Sequence, residues 1–337
     1  MIIKKLYLKN FRNYTESTFE FSNPISVIVG NNGVGKTNLL EAFSMLEKPK
    51  GLRGGDLADI EKKDTNNGWF TRYGFLDKDI AIHYKDHKKK IFHLEKAIPH
   101  TKIHAFMKTI WLGTHNDRIF STTPEKRRKF FDTVLAIFEP EYKVIQGKYL
   151  HYIFERTKLL YQNGDEKWLN IIEQKIYEHG ITWTQLRAEG IEKLNTFLTH
   201  IQTLDRCHFA AKPIEFTLEH IKSSRERDLK MGGCGVGPHK VEYDGWYGEK
   251  KLSTASNGEQ CLGQISIFLA LIYYLIQNKQ VLFLIDEIFS YLDLHNQQKL
   301  IKEFQMLPQT SCQFVITTPK VSHVLENVQM INLEDSV

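Results

Sequence analysis

Ile25-Ser26-Val27-Ile28-Val29-Gly30-Asn31-Asn32-Gly33-Val34-Gly35-Lys36-Thr37-Asn38-Leu39-Leu40 is the stretch on which the fold turns. A β-branched run stops at Gly30, and two more glycines and Lys36-Thr37 follow. From Asn38 to Leu46 the apolar residues recur at helical spacing. Strand, G-x-x-x-x-G-K-[ST] and helix together make a P-loop. The glycines let backbone N–H groups converge on phosphate oxygens at a helix N-terminus. On this reading Gly30, Asn31, Asn32, Gly33, Val34, Gly35, Lys36, Thr37 and Asn38 bind ATP. Lys36 reaches the β- and γ-phosphates, and the Thr37 hydroxyl takes one position on Mg²⁺.

The chemistry also needs acids, and these stand near the other end of the chain. Val281-Leu282-Phe283-Leu284-Ile285 reads as a buried strand that ends in Asp286-Glu287. Asp286 is expected to hold the Mg²⁺ and its water shell. Glu287 is expected to polarise the attacking water as general base. Such a pair also occurs as a plain exit from strand to loop; the P-loop is what favours the catalytic reading.

Between the two lies Ser256-Asn257-Gly258-Glu259-Gln260, which opens an apolar helix. Taken alone, Ser256 followed by Glu259 is a capping box. Between a P-loop and Asp286-Glu287, the segment resembles the signature motif of ATP-binding-cassette ATPases. That resemblance implies that it closes in trans over the γ-phosphate held by another copy. Phe289-Ser290-Tyr291-Leu292-Asp293 is similar to their D-loop.

Composition sets the bounds. With 337 residues the chain is long enough for one or two domains, and 42% hydrophobic with 25% charged residues is ordinary for a globular protein. A net charge of +5 permits a polyanionic partner without demanding one. The four cysteines (Cys207, Cys234, Cys261, Cys312) form no C-x-x-C pair, so neither a zinc site nor a disulfide framework is expected, and a reducing cytosol fits best. The N-terminus carries no apolar signal core, and the longest apolar stretch, Ile265 to Ile276, is too short to span a bilayer.

Ile2 to Phe11 alternates like a half-buried strand. Lys48 to Asp59 is basic and glycine-rich and reads as an exposed, flexible loop. Trp69–Ile80 and Ala81–Leu94 are expected as two strands, with a charged tip over Lys85 to Lys90, and Ile110-Trp111-Leu112 as a third. From Pro124 to Leu204 helical spacing dominates, without sustained heptads. Gly232 to Pro238 breaks the pattern. Helix (Gln260–Gln277), strand (Val281–Ile285), helix (Asn296–Phe304) and strand (Gln313–Thr317) follow.

A closer resemblance rests on several segments in order. They are Leu8-Lys9-Asn10-Phe11-Arg12-Asn13-Tyr14, Gly35 to Ala42, Lys126-Arg127-Arg128-Lys129-Phe130-Phe131-Asp132, Gly237-Pro238-His239-Lys240, Ser256 to Gln260 and Leu284 to Glu287. Together they look like the RecF family. The resemblance implies an α/β fold: an ABC-type, SMC/Rad50-head-like ATPase lobe with a P-loop and mixed sheet, a mainly helical second lobe, and no long coiled coil. The expected division is 1–113 with 236–337 for the ATPase lobe and 114–235 for the helical lobe. It further implies a cytoplasmic, nucleoid-associated, weakly active, DNA-stimulated ATPase of DNA repair, recombination, replication and the SOS response. Its ligands would be ATP, Mg²⁺ and DNA (single-strand/double-strand junctions and duplex). It would form an ATP-dependent homodimer at single-strand gaps and stalled forks, helping RecR and RecO load RecA onto strands covered by single-strand-binding protein.

Three positions depart from the family pattern. Leu112 to Asp117 lacks the usual Pro-Glu-Asp, Cys261 stands where lysine is common, and Thr317-Thr318-Pro319 offers no switch histidine, with His323 farther along.

Basic clusters at Lys48/Lys50/Arg53, Lys85/Lys88/Lys89/Lys90, Lys126–Lys129 and Arg225/Arg227/Lys230 could neutralise DNA phosphates. Lys50, Arg53, Arg127 and Arg128 are the named DNA candidates. A solvated face is the bland alternative, and Arg127-Arg128 could instead pair with acids in the helical lobe. The histidines show no metal spacing, and His239 reads as structural. The rival readings are the ATPase subunit of a transporter and that of a nuclease. Gln260-Cys261 lacks the basic helix start usual in transporter ATPases, and no acidic metal cluster follows Glu287.

Overall fold

The structure, a computed structural model, describes residues 2–65, 67–113, 119–319 and 325–335. Strands β1 (Lys5–Phe11), β2 (Tyr14–Glu20) and β3 (Ile25–Val29) lead into helix α1 (Lys36–Ser44). Next come β4 (Trp69–Gly74), β5 (Asp79–Lys85), β6 (Lys88–His93), β7 (Lys96–Ala97), α2 (Thr101–Phe106) and β8 (Met107–Leu112). The middle of the chain holds α3 (Pro124–Phe138), α4 (Tyr142–Tyr161), α5 (Glu166–Leu198), β9 (Cys207–Ala211), α6 (Leu218–Ser223) and α7 (Arg225–Met231). Then come β10 (Tyr243–Tyr247), β11 (Lys250–Lys251), α8 (Asn257–Leu275), β12 (Gln280–Asp286), α9 (Leu294–Met306), β13 (Cys312–Thr318) and β14 (Gln329–Asn332).

These elements form two compact units. One comprises Met1–Asp117, Gln202–Leu204 and Ile272–Val337; the other comprises Arg118–Ile201 and Asp205–Leu271. The first unit holds a five-stranded sheet in the order β14-β3-β13-β12-β8, with every neighbouring pair parallel. A parallel sheet is covered on both faces, which explains the unbroken apolar run of β12. Val281 to Ile285 are all at most 3% exposed, and each such side chain contributes about 1.5–3 kcal/mol by burial. On one face Phe283 and Phe314 pack against Phe304 of α9, the latter stacked at 4.3 Å. Helix α1 shares a core with the inner face of a six-stranded sheet, β2-β1-β4-β5-β6-β7, through Leu39, Leu40 and Phe43 with Leu8, Phe21 and Tyr73. The short return of 202–204 is fixed by the fully buried Glu303. Its carboxylate accepts from Gln202 N (3.1 Å), Thr203 N (2.9 Å) and the Tyr273 hydroxyl (2.8 Å).

The second unit is mainly helical. A buried ionic cluster joins α4, α5 and α7: Arg156 meets Glu173 at 2.9 Å and Asp228 at 2.7 Å, and Arg225 meets Glu173 at 2.6 Å. The 33 residues of α5 span about 50 Å. With the 20 residues of α4 this is a hairpin and not a long coiled coil.

Two sequence expectations change. Residues 236–271 group with the helical unit, because β10 pairs with β9 and Phe131 of α3 stacks on Tyr243 at 4.3 Å. The stretch 69–94 makes three strands, because the chain turns after Gly74 (Phe75 N to Lys78 O, 2.8 Å) and again at Asp86-His87, both at positive φ. Among the described residues, no helix is long and apolar enough to cross a membrane.

Candidate nucleotide site

The site is built at the carboxyl ends of β3, β13 and β12, in that spatial order. Gly35 has φ 115°, where a side chain is strained. A Cβ there would also lie 2.5 Å from Asn13 Nδ2 and 2.9 Å from the Tyr14 hydroxyl. Those two neighbours hold the loop. Asn13 Nδ2 donates to Val34 O (2.9 Å), Tyr14 donates to Gly35 O (3.1 Å), and Asn38 Nδ2 donates back to Asn13 Oδ1 (2.8 Å). Burial pushes the Tyr14 phenol far above its ordinary range, so it remains a donor.

Lys36 is nearly buried. Its ammonium donates to Gly30 O (2.7 Å) and Asn31 O (3.1 Å) and stands 3.3 Å from Glu287. The Thr37 hydroxyl lies 2.9 and 3.2 Å from the two oxygens of Asp286. Sequence positions 249 apart are thus in hydrogen-bond contact. Glu287 leaves the strand at φ 55°, a left-handed conformation that costs a non-glycine residue about 1–3 kcal/mol. Asn31 N donates to Glu334 at 3.2 Å, and the Asn31 side chain bonds the same carboxylate.

Below the loop, Arg12 clamps the buried Glu41 of α1 in a two-point contact of 2.8 and 2.9 Å and also donates to Asp59 O. Arg53 reaches Glu41 at 3.3 Å. Arg53 and Glu287, with Asn32, Gly33 and Gly35–Asn38, line a cavity of about 260 Å³. A larger groove, about 690 Å³, lies on the open face of the antiparallel sheet at Tyr7, Phe70 and Arg72 and shares no residue with this site. Size favours the groove; the converging amides, ammonium and acids favour the smaller cavity, which we take as the site.

The signature-like segment lies in the second unit. Ser256 N donates to Glu259 (2.8 Å), and Glu259 N donates to Ser256 Oγ (3.3 Å), so the capping box forms. Lys250, at 2.7 Å, is the main cause that pulls the Glu259 carboxyl down to about 2, with the Ser256 N–H and hydroxyl adding to it. Gln260 is tied to Ala255 O and accepts from Ser121. Asn257 and Gly258 begin α8, and Asp293 caps α9 by accepting from Asn296 N (2.8 Å).

The basic candidates divide. Lys50 is exposed. Arg53 faces the nucleotide cavity. Arg127 donates to Phe120 O and Thr122 O, while Arg128 donates to Val241 O and pairs with Glu125. The loop of 48–59 is pinned, because Lys89 donates to Pro49 O (2.9 Å) and Arg53 holds Glu41. His239 spends both ring nitrogens on Tyr149 and Cys234 O, as a structural histidine does. Among the described residues no group of three metal-ligating acids, histidines or cysteines forms. His115, Asn116, Asp117 and His323 lie outside the described residues.

A model of the RecF/RecN/SMC N-terminal domain matches residues 2–335. The chain belongs to that family. The expected place within the RecF family holds over the full length. The DNA replication and repair proteins RecF of Rickettsia massiliae and Rickettsia rickettsii are 27% and 26% identical over 96% and 99% of both chains. A solved structure of the recombination mediator protein RecF with ATP, in the RecFOR pathway, superposes with TM-score 0.69 at 23% identity, covering 95% of this chain and 92% of that one. An Smc head bound to the C-winged helix domain of ScpA gives 0.56 at 17% identity, covering 94% and 89%. The fold is the SMC/RecF-type ATPase head.

Sequence reasoning missed the supports. Arg12, Asn13 and Tyr14 entered only as part of a family resemblance, and Glu41 and Thr317 did not enter as site residues. An arginine and a buried glutamate 29 positions apart carry no periodic signal.

Proposed function

We propose that this RecF-family chain is an ATP-dependent DNA-binding protein of replication and repair, hydrolysing ATP to ADP and phosphate. One observation carries the reading: Lys36, Thr37, Asp286 and Glu287 meet at one sheet end although they come from opposite ends of the chain. The donor set fits Mg²⁺, since a hydroxyl and a carboxylate within 2.9 Å of each other are hard oxygen ligands. Thr37 and Asp286 would hold that ion, which when bound would neutralise charge on the β- and γ-phosphates.

The chain's own groups supply the rest. Loop amides from Gly33 to Thr37 face the phosphates. Lys36 exchanges its carbonyl partners for phosphate oxygens, and Glu287 accepts a proton from the attacking water. The surplus guanidinium charge of Arg12 and Arg53 over Glu41 favours an anion at the cavity rim, so Arg53 is better read as a nucleotide contact than a DNA contact. Ser256–Gln260 and Asp293 act from a second copy, making an ATP-dependent homodimer. Acting at single-strand gaps and stalled forks with RecR and RecO, and through them RecA, is the finer reading. What supports its RecO and RecR part is that the similar solved RecF is named a recombination mediator in the RecFOR pathway.

The test is sedimentation with and without ATP and gapped DNA. Lys36→Met should abolish the ATP-dependent dimer. Glu287→Gln should trap it and lower turnover about 10²-fold or more. Wild-type dimerisation in Lys36→Met, or unchanged turnover in Glu287→Gln, would remove those roles.

A further inference from the structure

Strand β13 is bonded on one side to the strand that feeds the phosphate loop and on the other to the strand that ends in the acids. Thr317 sits at that junction, opposite Ile28 of β3 and Asp286 of β12. It is fully buried. A buried hydroxyl on an apolar strand must find partners or cost stability, and this one has chosen both acids. Its Oγ1 donates to Asp286 Oδ1 at 2.6 Å and accepts the Glu287 N–H at 3.1 Å. Ile285 O, at 3.5 Å, is the weaker acceptor for the same proton. An O–H···O contact near 2.6 Å to an ionised carboxylate is among the stronger neutral-to-charged hydrogen bonds.

Two consequences follow for the acids. The Asp286 carboxylate meets Thr37 across both its oxygens and Thr317 at Oδ1 alone, so two hydroxyls, one on a helix and one on a strand, fix its plane. Glu287 is a non-glycine residue at φ 55°, a conformation that persists only where its surroundings over-determine it. Its N–H is caught by both the hydroxyl and the backbone oxygen of Thr317, each at 3.1 Å.

We propose that Thr317 is a positioning residue of the nucleotide site, whose hydroxyl sets the plane of the Asp286 carboxylate and the direction in which Glu287 leaves its strand. The proposal rests on the ATPase reading above and adds a third strand to it. The sequence offers no histidine at 317–319; what the strand brings there is a hydroxyl beneath the acids.

The full-length protein tests this with Thr317→Val, which keeps the shape and loses the hydroxyl, and Thr317→Ser, which keeps the hydroxyl. Mn²⁺ affinity in the presence of ATP is read from the EPR signal of free Mn²⁺, and kcat and KM from ATP turnover. Thr317→Val should weaken Mn²⁺ binding about tenfold and lower kcat about 10–100-fold, with little change in KM for ATP. Thr317→Ser should stay within about threefold of wild type on each, well inside that range. Wild-type Mn²⁺ affinity and kcat in Thr317→Val would overturn the proposal, and so would Thr317→Ser failing as badly as Thr317→Val. If wild type turns over ATP no faster than Lys36→Met, the ATPase reading falls; the Mn²⁺ comparison then still decides on Thr317. Should Thr317→Val not give a folded protein by thermal melting, Thr317→Cys, with a weak donor of similar size, carries the same comparison.

Discussion

Each unit buries a glutamate under arginines, and the two clusters balance differently. In the helical unit Arg156, Arg225 and Arg227 face Glu166, Glu173 and Asp228, three charges against three, and at its centre Arg156, Glu173 and Asp228 are at most 1% exposed. In the nucleotide-binding unit Arg12 and Arg53 share the single carboxylate Glu41, and Arg53 is 43% exposed at a cavity wall. A balanced, sealed cluster has nothing left for a ligand and serves packing. An unbalanced, half-open one keeps a positive charge for an incoming anion. The same residue types thus do different work, and the count of charges together with exposure tells them apart.

Three substitutions push on that contrast. Arg156→Met should cost about 3–5 kcal/mol, because buried Asp228 loses its shortest ion pair and buried Glu173 one of its two arginines; urea unfolding followed by tryptophan fluorescence reads it. A loss under about 1 kcal/mol, the scale of an exposed pair, would mean the sealed cluster is not structural. Arg12→Ala should fall between, at about 1–3 kcal/mol, since Glu41 keeps Arg53. Arg53→Ala should change stability by under about 1 kcal/mol, as for other partly exposed pairs. Its effect should appear in ATP affinity, weakened about fivefold and more so at low salt. Unchanged ATP binding would make the two clusters equivalent after all.

The smallest effect concerns a third buried acid. Glu47 takes His104 at 2.8 Å and Lys108 at 3.2 Å, and His100 packs edge-on against His104. Burial first, then the charges of Lys89 and His104, pushes His100 down to about 4 from 6.5. Between pH 6.5 and 4 the unfolded chain therefore binds a proton that folded His100 refuses, and stability falls as pH drops. His100→Asn should flatten that slope in denaturant midpoints measured across the window; an unaltered slope would assign it to other groups.

Much of this was legible in the sequence, and the limits have physical causes. Ile25–Val29 reads as a strand with the observed bounds, because five β-branched or small residues before a glycine leave little choice. Val281–Ile285 reads as a strand from its unbroken apolar run, and the structure extends it by one residue at each end. β14 was not seen, since Gln329-Met330-Ile331-Asn332 is four residues at a sheet edge with no apolar run. Residues 236–271 are expected with the ATPase lobe but group with the helical unit, because what holds β10 is its pairing to β9, more than 30 positions back. Thr317 was read only for the histidine it lacks. Its hydroxyl acquires meaning through Asp286, 31 residues away in sequence, and local pattern carries no trace of such a contact.

The parallel sheet is assembled from both ends of the chain, and that has a consequence for its birth on the ribosome. Strand β3 and the phosphate loop emerge early, but their neighbour β13 spans Cys312–Thr318. At about 5–20 residues per second, the loop waits on the order of 15–60 s for the strand that seats it. Throughout that time β3 offers an unpaired, apolar edge, the kind that seeks other strands. The helical unit, whose residues are contiguous save for 202–204, can finish first. Translation therefore delivers the second unit whole before the ATP site has all its walls, and a nascent chain stalled before Cys312 would be a target for chaperones.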